Sequence, residues 1–306
     1  MHDIIRGIIP VAPTIFTDDE RLDLDGQRRV VDYLVDGECD AICVLANYSE
    51  QFSLDDDERV RVVDATLEQA AGRIPVMVTT SHYSAEVAHR RTLAAQRSGA
   101  SLVMLMPPFF GTTMRVDDDD AVVEYFLRVA DGVEIDIMIQ DAPMSGTLLS
   151  AALVARIAAE VPRVRYAKIE MPRTAQKLRV LAGLAGDELP GLYDGEESVT
   201  LIPDLLAGAQ GTMSSCVVPD RLGRIVRTFL EGDRDAATAD WEDLLPLIHF
   251  ENRQCGLVAA KYLMREGGII GSDRTRAPFG GIPAQTGREL IELARRKDAL
   301  VLRWAH

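Results

Sequence analysis

The chain has 306 residues, 47% of them hydrophobic, which is enough for one large globular domain or two small ones. Its net charge of −15 argues against a nucleic acid or an anionic membrane as a partner. The four cysteines form no CxxC pair and the five histidines are dispersed, which argues against a metal centre. The charged opening segment does not resemble a signal peptide, and no apolar run is long enough to span a membrane, so we expect a cytoplasmic protein.

Short apolar runs alternate with longer amphipathic stretches along the first 232 residues. The predicted strands, in chain order, are 7–14, 41–46, 75–79, 102–106, 135–139, 164–168, 191–194 and 210–213. The predicted helices lie near 25–37, 55–71, 84–98, 117–131, 151–160, 173–185, 197–207 and 219–231. Eight strand–helix units predict a (β/α)8 TIM barrel rather than an open doubly wound sheet. No GxGxxG motif follows a strand, so we expect no dinucleotide cofactor.

The alternation stops beyond residue 232. Three further helices are predicted at 233–249, 253–267 and 284–298, and no linker-like spacer precedes them. We therefore predict a catalytic barrel over 1–232. A C-terminal helical extension over 233–306 would pack on it.

Lys168 is the most informative residue of the sequence. It ends the predicted strand 164–168, which is bounded by Pro162 and Pro172. In a barrel, the C-terminal ends of the strands open on the face that carries the active site. A desolvated amine at that place can attack a ketone and form a Schiff base. The alternative is a strand-terminal lysine whose amine reaches solvent.

Glu170 follows two residues after Lys168. In an extended chain this spacing points both side chains to the same face. A carboxylate beside a Schiff-base lysine can move protons at the carbon next to the imine. The alternative role is a simple ion pair with the lysine.

The loops after the other predicted strands add amide, hydroxyl, imidazole and carboxylate groups, which are suited to binding a polar substrate. The candidates are Asn47, Tyr48, Ser49, His82, Gln140, Glu197 and Ser214. The alternatives are structural: a turn with a helix cap for the first loop, a hydrogen-bonded loop histidine, and an acidic helix start at Glu197.

The order of these motifs resembles the pyruvate-dependent aldolase and lyase superfamily of dihydrodipicolinate synthase and N-acetylneuraminate lyase. The likeness is carried by the run 10–14, the loop ending in Glu50, the Met-Pro-Pro at 106–108, the Pro at the end of 140–143, Lys168 and the turn at Gly195. The resemblance implies a (β/α)8 barrel with a helical C-terminal region, assembled as a homotetramer from two dimers. It also implies that Lys168 forms the Schiff base.

The sequence departs from the family pattern at several positions. Ala46-Asn47-Tyr48-Ser49-Glu50 replaces the usual Gly-Thr/Ser-Thr-Gly-Glu, and Gln140 replaces the tyrosine that relays protons. Glutamine cannot ionise, so another group must move protons. Ser145 stands where the dihydrodipicolinate synthases place an arginine for their second substrate, which argues against their activity.

With the stretches 78–84, 194–197, 251–254 and 302–306, these departures resemble a dehydratase branch that acts on 2-keto-3-deoxy sugar acids. The resemblance implies catalytic roles for Lys168, Glu170 and Glu197. We predict that the remaining candidates bind the substrate. No metal or organic cofactor is expected, because the protonated imine polarises the substrate. The open alternatives are a 5-keto-4-deoxyglucarate dehydratase, an aldolase or lyase of the same superfamily, and a non-catalytic binding protein.

Overall fold

The structure is a computed structural model that describes residues 4–110 and 114–306. Within these residues, eight strands alternate along the chain with eight helices, as the sequence pattern predicts. The strands are β1 Gly7–Ile8, β2 Ile42–Val44, β3 Val76–Thr79, β4 Leu102–Leu105, β5 Asp136–Asp141, β6 Val164–Ile169, β7 Gly191–Asp194 and β8 Gly211–Thr212. The helices are α1 Leu24–Asp36, α2 Asp56–Ala70, α3 Ala85–Ser98, α4 Asp119–Ala130, α5 Ala151–Glu160, α6 Thr174–Ala185, α7 Leu201–Leu206 and α8 Pro219–Leu230. A short antiparallel ladder joins Phe109–Phe110 to Met114–Arg115.

Three further α-helices follow, α9 Arg234–Phe250, α10 Ala259–Glu266 and α11 Ala284–Arg296. A π-helical turn, Glu251–Cys255, and a 3-10 turn, Gly256–Val258, separate α9 from α10. The helix predicted at 253–267 therefore begins later, because Gly256 has a φ of +63° that an α-helix does not contain. Among the described residues, no helix has both the length and the apolar character needed to cross a membrane.

Contacts group the chain into two compact units. The first unit contains residues 4–6, Met77–Glu196 and Thr200–Met213. Its strands β3 to β8 run parallel, and each lies beside the next along the chain. The register pairs Gln140 with Lys168 across β5 and β6, and Lys168 with Tyr193 across β6 and β7. The ends of three neighbouring strands thus bring these residues together.

The core of the first unit lies along these strands. β4 is apolar throughout and fully buried, as are Ile137, Met138 and Ile139 of β5. Continuous apolar strands of this kind are typical of parallel sheets that are covered on both faces. The polar exceptions stand at the strand ends, where Gln140 and Lys168 are also buried.

The second unit contains Gly7–Val76, Glu197–Val199 and Ser214–His306. Its first strand is shorter than the predicted 7–14, because Pro10 and Pro13 have no N–H to donate to a neighbouring strand. The extended chain continues through a single parallel bridge between Val11 and Cys43. The Val11 amide also donates to the Ser214 carbonyl at 2.8 Å.

Candidate active site

Lys168 is a buried amine at the end of β6. Its side chain is 4% exposed, and its Nζ lies 2.7 Å from Oε1 of Glu170. The two-residue spacing therefore places both groups on one face, as the sequence predicts. The strand-terminal lysine in solvent, which was the alternative, does not describe this side chain. The ion pair, which was the alternative role of Glu170, is present.

Gln140 completes this cluster from the neighbouring strand β5. Its Nε2 donates to the same Oε1 of Glu170 at 2.8 Å, and the residue is 1% exposed. Its own Oε1 is buried and has no hydrogen-bond partner among the residues that the structure describes. A buried amide oxygen without a hydrogen-bond partner can accept a hydrogen bond from a hydroxyl group.

Gly195, which follows β7, packs directly on the pair. Its amide donates to the Ile169 carbonyl at 2.9 Å. A Cβ at this position would lie 2.5 Å from Cγ of Glu170 and 2.9 Å from Cγ of Lys168. Only glycine fits there without displacing the two side chains.

A second ion pair fixes the backbone beneath Glu170. The Asp141 carbonyl accepts from the Glu170 amide at 3.0 Å, and the Asp141 carboxylate lies 2.5 Å from Nζ of Lys177. Burial raises the pKa of Asp141, although the charge of Lys177 opposes this rise. Lys177 also donates to the Leu149 carbonyl. No local pattern reveals this contact, because 36 residues separate its partners.

A buried carboxyl group holds the turn before Gly195, and a second one lies close to it. Asp194 accepts from the Thr212 hydroxyl at 2.6 Å and from the Glu196 amide at 2.8 Å. Asp204, on α7, is fully buried. Burial, followed by the negative charge of Asp194, raises the pKa of Asp204 to about 8. The two groups therefore share one proton at neutral pH.

His82 also belongs to the first unit. Its Nδ1 accepts from the Ser84 amide at 3.0 Å, so the neutral ring carries its proton on Nε2. The Tyr125 hydroxyl donates to the His82 carbonyl at 2.7 Å. The loop after β3 is thus fixed through its backbone as well as through the imidazole.

In the second unit, the loop after β2 is stabilised by its own side chains. Ser49 is fully buried. Its hydroxyl donates to the Ala12 carbonyl at 2.6 Å and accepts from the Ala46 amide at 3.1 Å. Its single proton is therefore already used, and donation to a substrate would have to replace the contact with Ala12.

Asn47 and Tyr48 are half-buried in the same loop. The Asn47 carbonyl oxygen accepts from Nε2 of Gln51 at 2.7 Å. The Tyr48 hydroxyl donates to Oδ1 of Asn252 at 3.1 Å. The tyrosine therefore links this loop to the π-helical turn after α9.

Glu197 lies in a backbone conformation that side chains rarely adopt. Glu197 and Ser198 have φ values of 55° and 68°, so the helix predicted from 197 begins only at Leu201. The Ser214 hydroxyl donates to the Glu197 carbonyl at 3.2 Å, and the Trp241 indole donates to the Ser198 carbonyl at 2.9 Å. Strained residues held in this way are concentrated at functional sites. Sequence reasoning missed Trp241.

The predicted site residues are thus found in both units. Direct contacts join Lys168, Glu170 and Gln140 in the first unit, and Ser214 and Glu197 in the second. His82 lies in the first unit, whereas the loop 47–49 lies in the second.

A buried lysine stands beside a carboxylate at the end of a strand in an alternating β/α chain, which is where barrel enzymes carry their active sites. The model of the dihydrodipicolinate synthetase family matches residues 4–297, and the chain belongs to this family. An L-2-keto-3-deoxyarabonate dehydratase from Azospirillum brasilense is 51% identical to the chain over 301 residues, which cover 98% of this chain and 97% of that protein.

More distant relatives agree with this fold. A 4-hydroxy-tetrahydrodipicolinate synthase from Methylococcus capsulatus is 29% identical over 97% of this chain and 100% of that protein. The crystal structure of a dihydrodipicolinate synthase from Rhodopseudomonas palustris has a TM-score of 0.86 and 25% identity, covering 95% of this chain and 97% of the other. The predicted family and the predicted (β/α)8 barrel with a C-terminal helical extension are confirmed.

Proposed function

We propose that the protein is an L-2-keto-3-deoxyarabonate dehydratase, which forms 2-oxoglutarate semialdehyde (2,5-dioxopentanoate) and water. The observation that carries the proposal is the buried cluster of Lys168, Glu170 and Gln140, in which both donors contact one carboxylate oxygen. The identity of 51% to a protein of that name supports the choice of substrate.

The reaction begins when the Lys168 amine attacks the C2 ketone and forms an imine after loss of water. The protonated imine withdraws electrons, so a proton on C3 becomes acidic. Glu170 is the base for this proton. Its Oε1 lies 2.7 Å from Nζ, which becomes the imine nitrogen, and C3 is two bonds from that nitrogen.

Gln140 orients the base and contacts the substrate. Its Nε2 holds Oε1 of Glu170, and its buried Oε1 is available to accept from a substrate hydroxyl. Because an amide does not ionise, Gln140 fixes the position of the carboxylate without competing for its proton. A relay tyrosine at this position would offer a second proton donor, and this chain has none there.

The enamine then expels the C4 hydroxyl, which needs an acid. We assign this role to Glu197, whose left-handed backbone is held by Ser214 and Trp241. Loss of a C5 proton gives an enol. The proton of its hydroxyl and the proton held by Glu170 then go to C4 and C3, which forms the aldehyde, and hydrolysis of the imine releases the product. Asn47, Tyr48, Ser49, His82 and Ser214 remain predicted substrate-binding residues, with the substrate carboxylate assigned to the loop 47–49.

We further propose that the protein is a cytoplasmic homotetramer with a small 2-keto-3-deoxy sugar acid as its substrate and with no nucleic-acid or membrane partner. Light scattering of the purified protein tests the tetramer. A mass near four times the 33.6 kDa chain supports it, and the mass of a monomer contradicts it.

Turnover of the two enantiomeric 2-keto-3-deoxypentonates tests the function. The expected result is semialdehyde formation, followed by NMR, with a preference for the L enantiomer and complete loss in K168A. Release of pyruvate would identify an aldolase instead. No conversion of either enantiomer would contradict the proposal.

A further inference from the structure

A buried acid that the mechanism above does not use lies directly after α9. Glu251 begins the π-helical turn Glu251–Cys255 and is 2% exposed. Its Oε1 has no hydrogen-bond partner within residues 4–110 and 114–306. Buried acids in this condition need an explanation, and π-helical turns within helical segments are frequent at functional sites.

The turn contacts the two loops of the second unit that carry candidate site residues. The hydroxyl of Ser215, which follows β8, hydrogen-bonds to the Glu251 carboxyl group. The next residue of the turn, Asn252, accepts from the Tyr48 hydroxyl. The turn is therefore joined to the substrate loop after β2 and to the serines after β8.

The surroundings keep about half of the Glu251 carboxyl groups protonated at neutral pH. Burial raises its pKa to about 7, and the hydrogen bond from Ser215 only partly opposes this rise. The titratable groups that face it are themselves neutral at this pH, because burial above all raises the pKa of each of them. They are Tyr33 on α1, Cys216 after β8 and Cys255 on the same turn. The negative charge of Glu289 on α11 also contributes to the raised pKa of Cys255.

Glu251 lies close to the loop of the proposed acid. After burial and Cys39, the carboxyl groups of Glu251 and Glu197 both contribute to the raised pKa of the Cys216 thiol, so both lie near that side chain. Ser214, the neighbour of Ser215, donates to the Glu197 carbonyl. Ser215 is therefore bonded to the buried acid through its hydroxyl, and its chain neighbour Ser214 contacts the loop of the proposed acid.

We propose that Glu251 is a positioning residue that holds the proton for the dehydration and exchanges it with Glu197 through the Ser215 hydroxyl. The inference rests on the proposed function. When the C4–O bond breaks, its electron pair leaves with the oxygen, and Glu197 gives the proton that completes the water molecule. Glu251 then reprotonates Glu197. The proton lost from C5 returns to the carboxylate of Glu251, so the cycle balances.

The dehydration requires a source of protons, which Glu251 would provide. The acid that protonates the departing hydroxide must regain a proton in every turnover, so it needs a supply. A buried acid that keeps its proton near pH 7 is such a supply. Activity must then fall as the pH rises through about 7, because the protonated form of Glu251 is the active one.

The test compares E251Q with E289Q, which changes an exposed glutamate on α11 near the same turn. Glutamine has the size and neutrality of protonated glutamate but cannot give its proton. We expect E251Q to lower kcat by about a hundredfold or more and to lose the fall in kcat above pH 7. Borohydride trapping at Lys168 should be unchanged in it, and E289Q should match the wild type. S215A keeps the acid but removes the hydroxyl through which its proton would pass, so it should also lose about a hundredfold in kcat.

A merely structural Glu251 predicts the opposite, because glutamine would preserve the neutral contact. Wild-type kcat in E251Q, within about threefold, would overturn the inference, as would a flat wild-type profile between pH 6 and 8. If E251Q forms no adduct with the substrate, the activity of S215A tests the inference instead. Full activity of S215A would also overturn the inference. If the wild type forms no semialdehyde, the proposed function itself has failed. If the wild type is active and E251Q equals it, only this inference fails.

Discussion

Replacing Gly195 by alanine tests whether the packing around Lys168 and Glu170 sets the rate. The added Cβ would lie 2.5 Å from Cγ of Glu170, and ordinary contact begins at 3.4 Å, so something must move by about 0.9 Å. The Ile169 carbonyl, at 2.8 Å, prevents the new methyl group from retreating. The two side chains must therefore shift away from each other or from Gln140.

A displacement of about 1 Å at reacting groups costs on the order of a hundredfold in rate, and overpacking costs about 1–3 kcal/mol of stability. We expect G195A to lower kcat/KM by about that factor, with the free energy of unfolding in urea reduced within that range. Both are measured on the purified variant with the wild type alongside.

The matched control is G183A, because a Cβ at Gly183 on α6 would meet nothing within 4 Å. The same substitution there should leave kcat/KM unchanged and raise stability by about 0.5–1 kcal/mol, since alanine favours a helix. If G195A keeps kcat/KM within about threefold of the wild type, the reasoning about this contact is refuted.

Three further changes test other contacts. E170Q should still form the imine but lose at least about a hundredfold in dehydration, because the base is gone; unchanged turnover would remove Glu170 from the mechanism. Asp204 keeps its proton in the folded protein up to a pH of about 8, whereas the unfolded chain loses it near 3.8, so the free energy of unfolding should fall as the pH rises between these values. D204N should flatten this fall by more than about 1 kcal/mol in urea titrations at pH 5 and pH 8, and an equal slope in both proteins would contradict the shared proton. Lys261 and Glu50 form an ion pair in which both side chains are at most 1% exposed, so K261M should cost about 3–5 kcal/mol by leaving a buried charge. K261M/E50Q should recover part of that loss, and a double variant no more stable than K261M would argue against the pair.

The sequence predicts best where one rule dominates. The alternation of apolar strands and amphipathic helices indicates the barrel, and the two-residue spacing of Lys168 and Glu170 places both groups on one face of β6. Gln140 is the register partner of Lys168 on the neighbouring strand, which is why its placement also followed from the strand assignment.

The sequence predicts least where distant residues decide the conformation. The left-handed residues Glu197 and Ser198 are held by Ser214 and Trp241, and no local pattern reveals these partners. Ser49 looks like a donor for substrate, yet its proton goes to Ala12, which lies 37 residues earlier. Burial of this kind also hides Glu251, because its surroundings come from α1 and from the residues after β8, which are distant in the chain.

Mapping the covalent adduct tests the central claim most directly. The chain has four lysines, Lys168, Lys177, Lys261 and Lys297, so a mass map of the protein reduced with borohydride in the presence of the sugar acid is unambiguous. We expect one adduct, on Lys168. An adduct on another lysine, or none while semialdehyde is formed, would contradict the account.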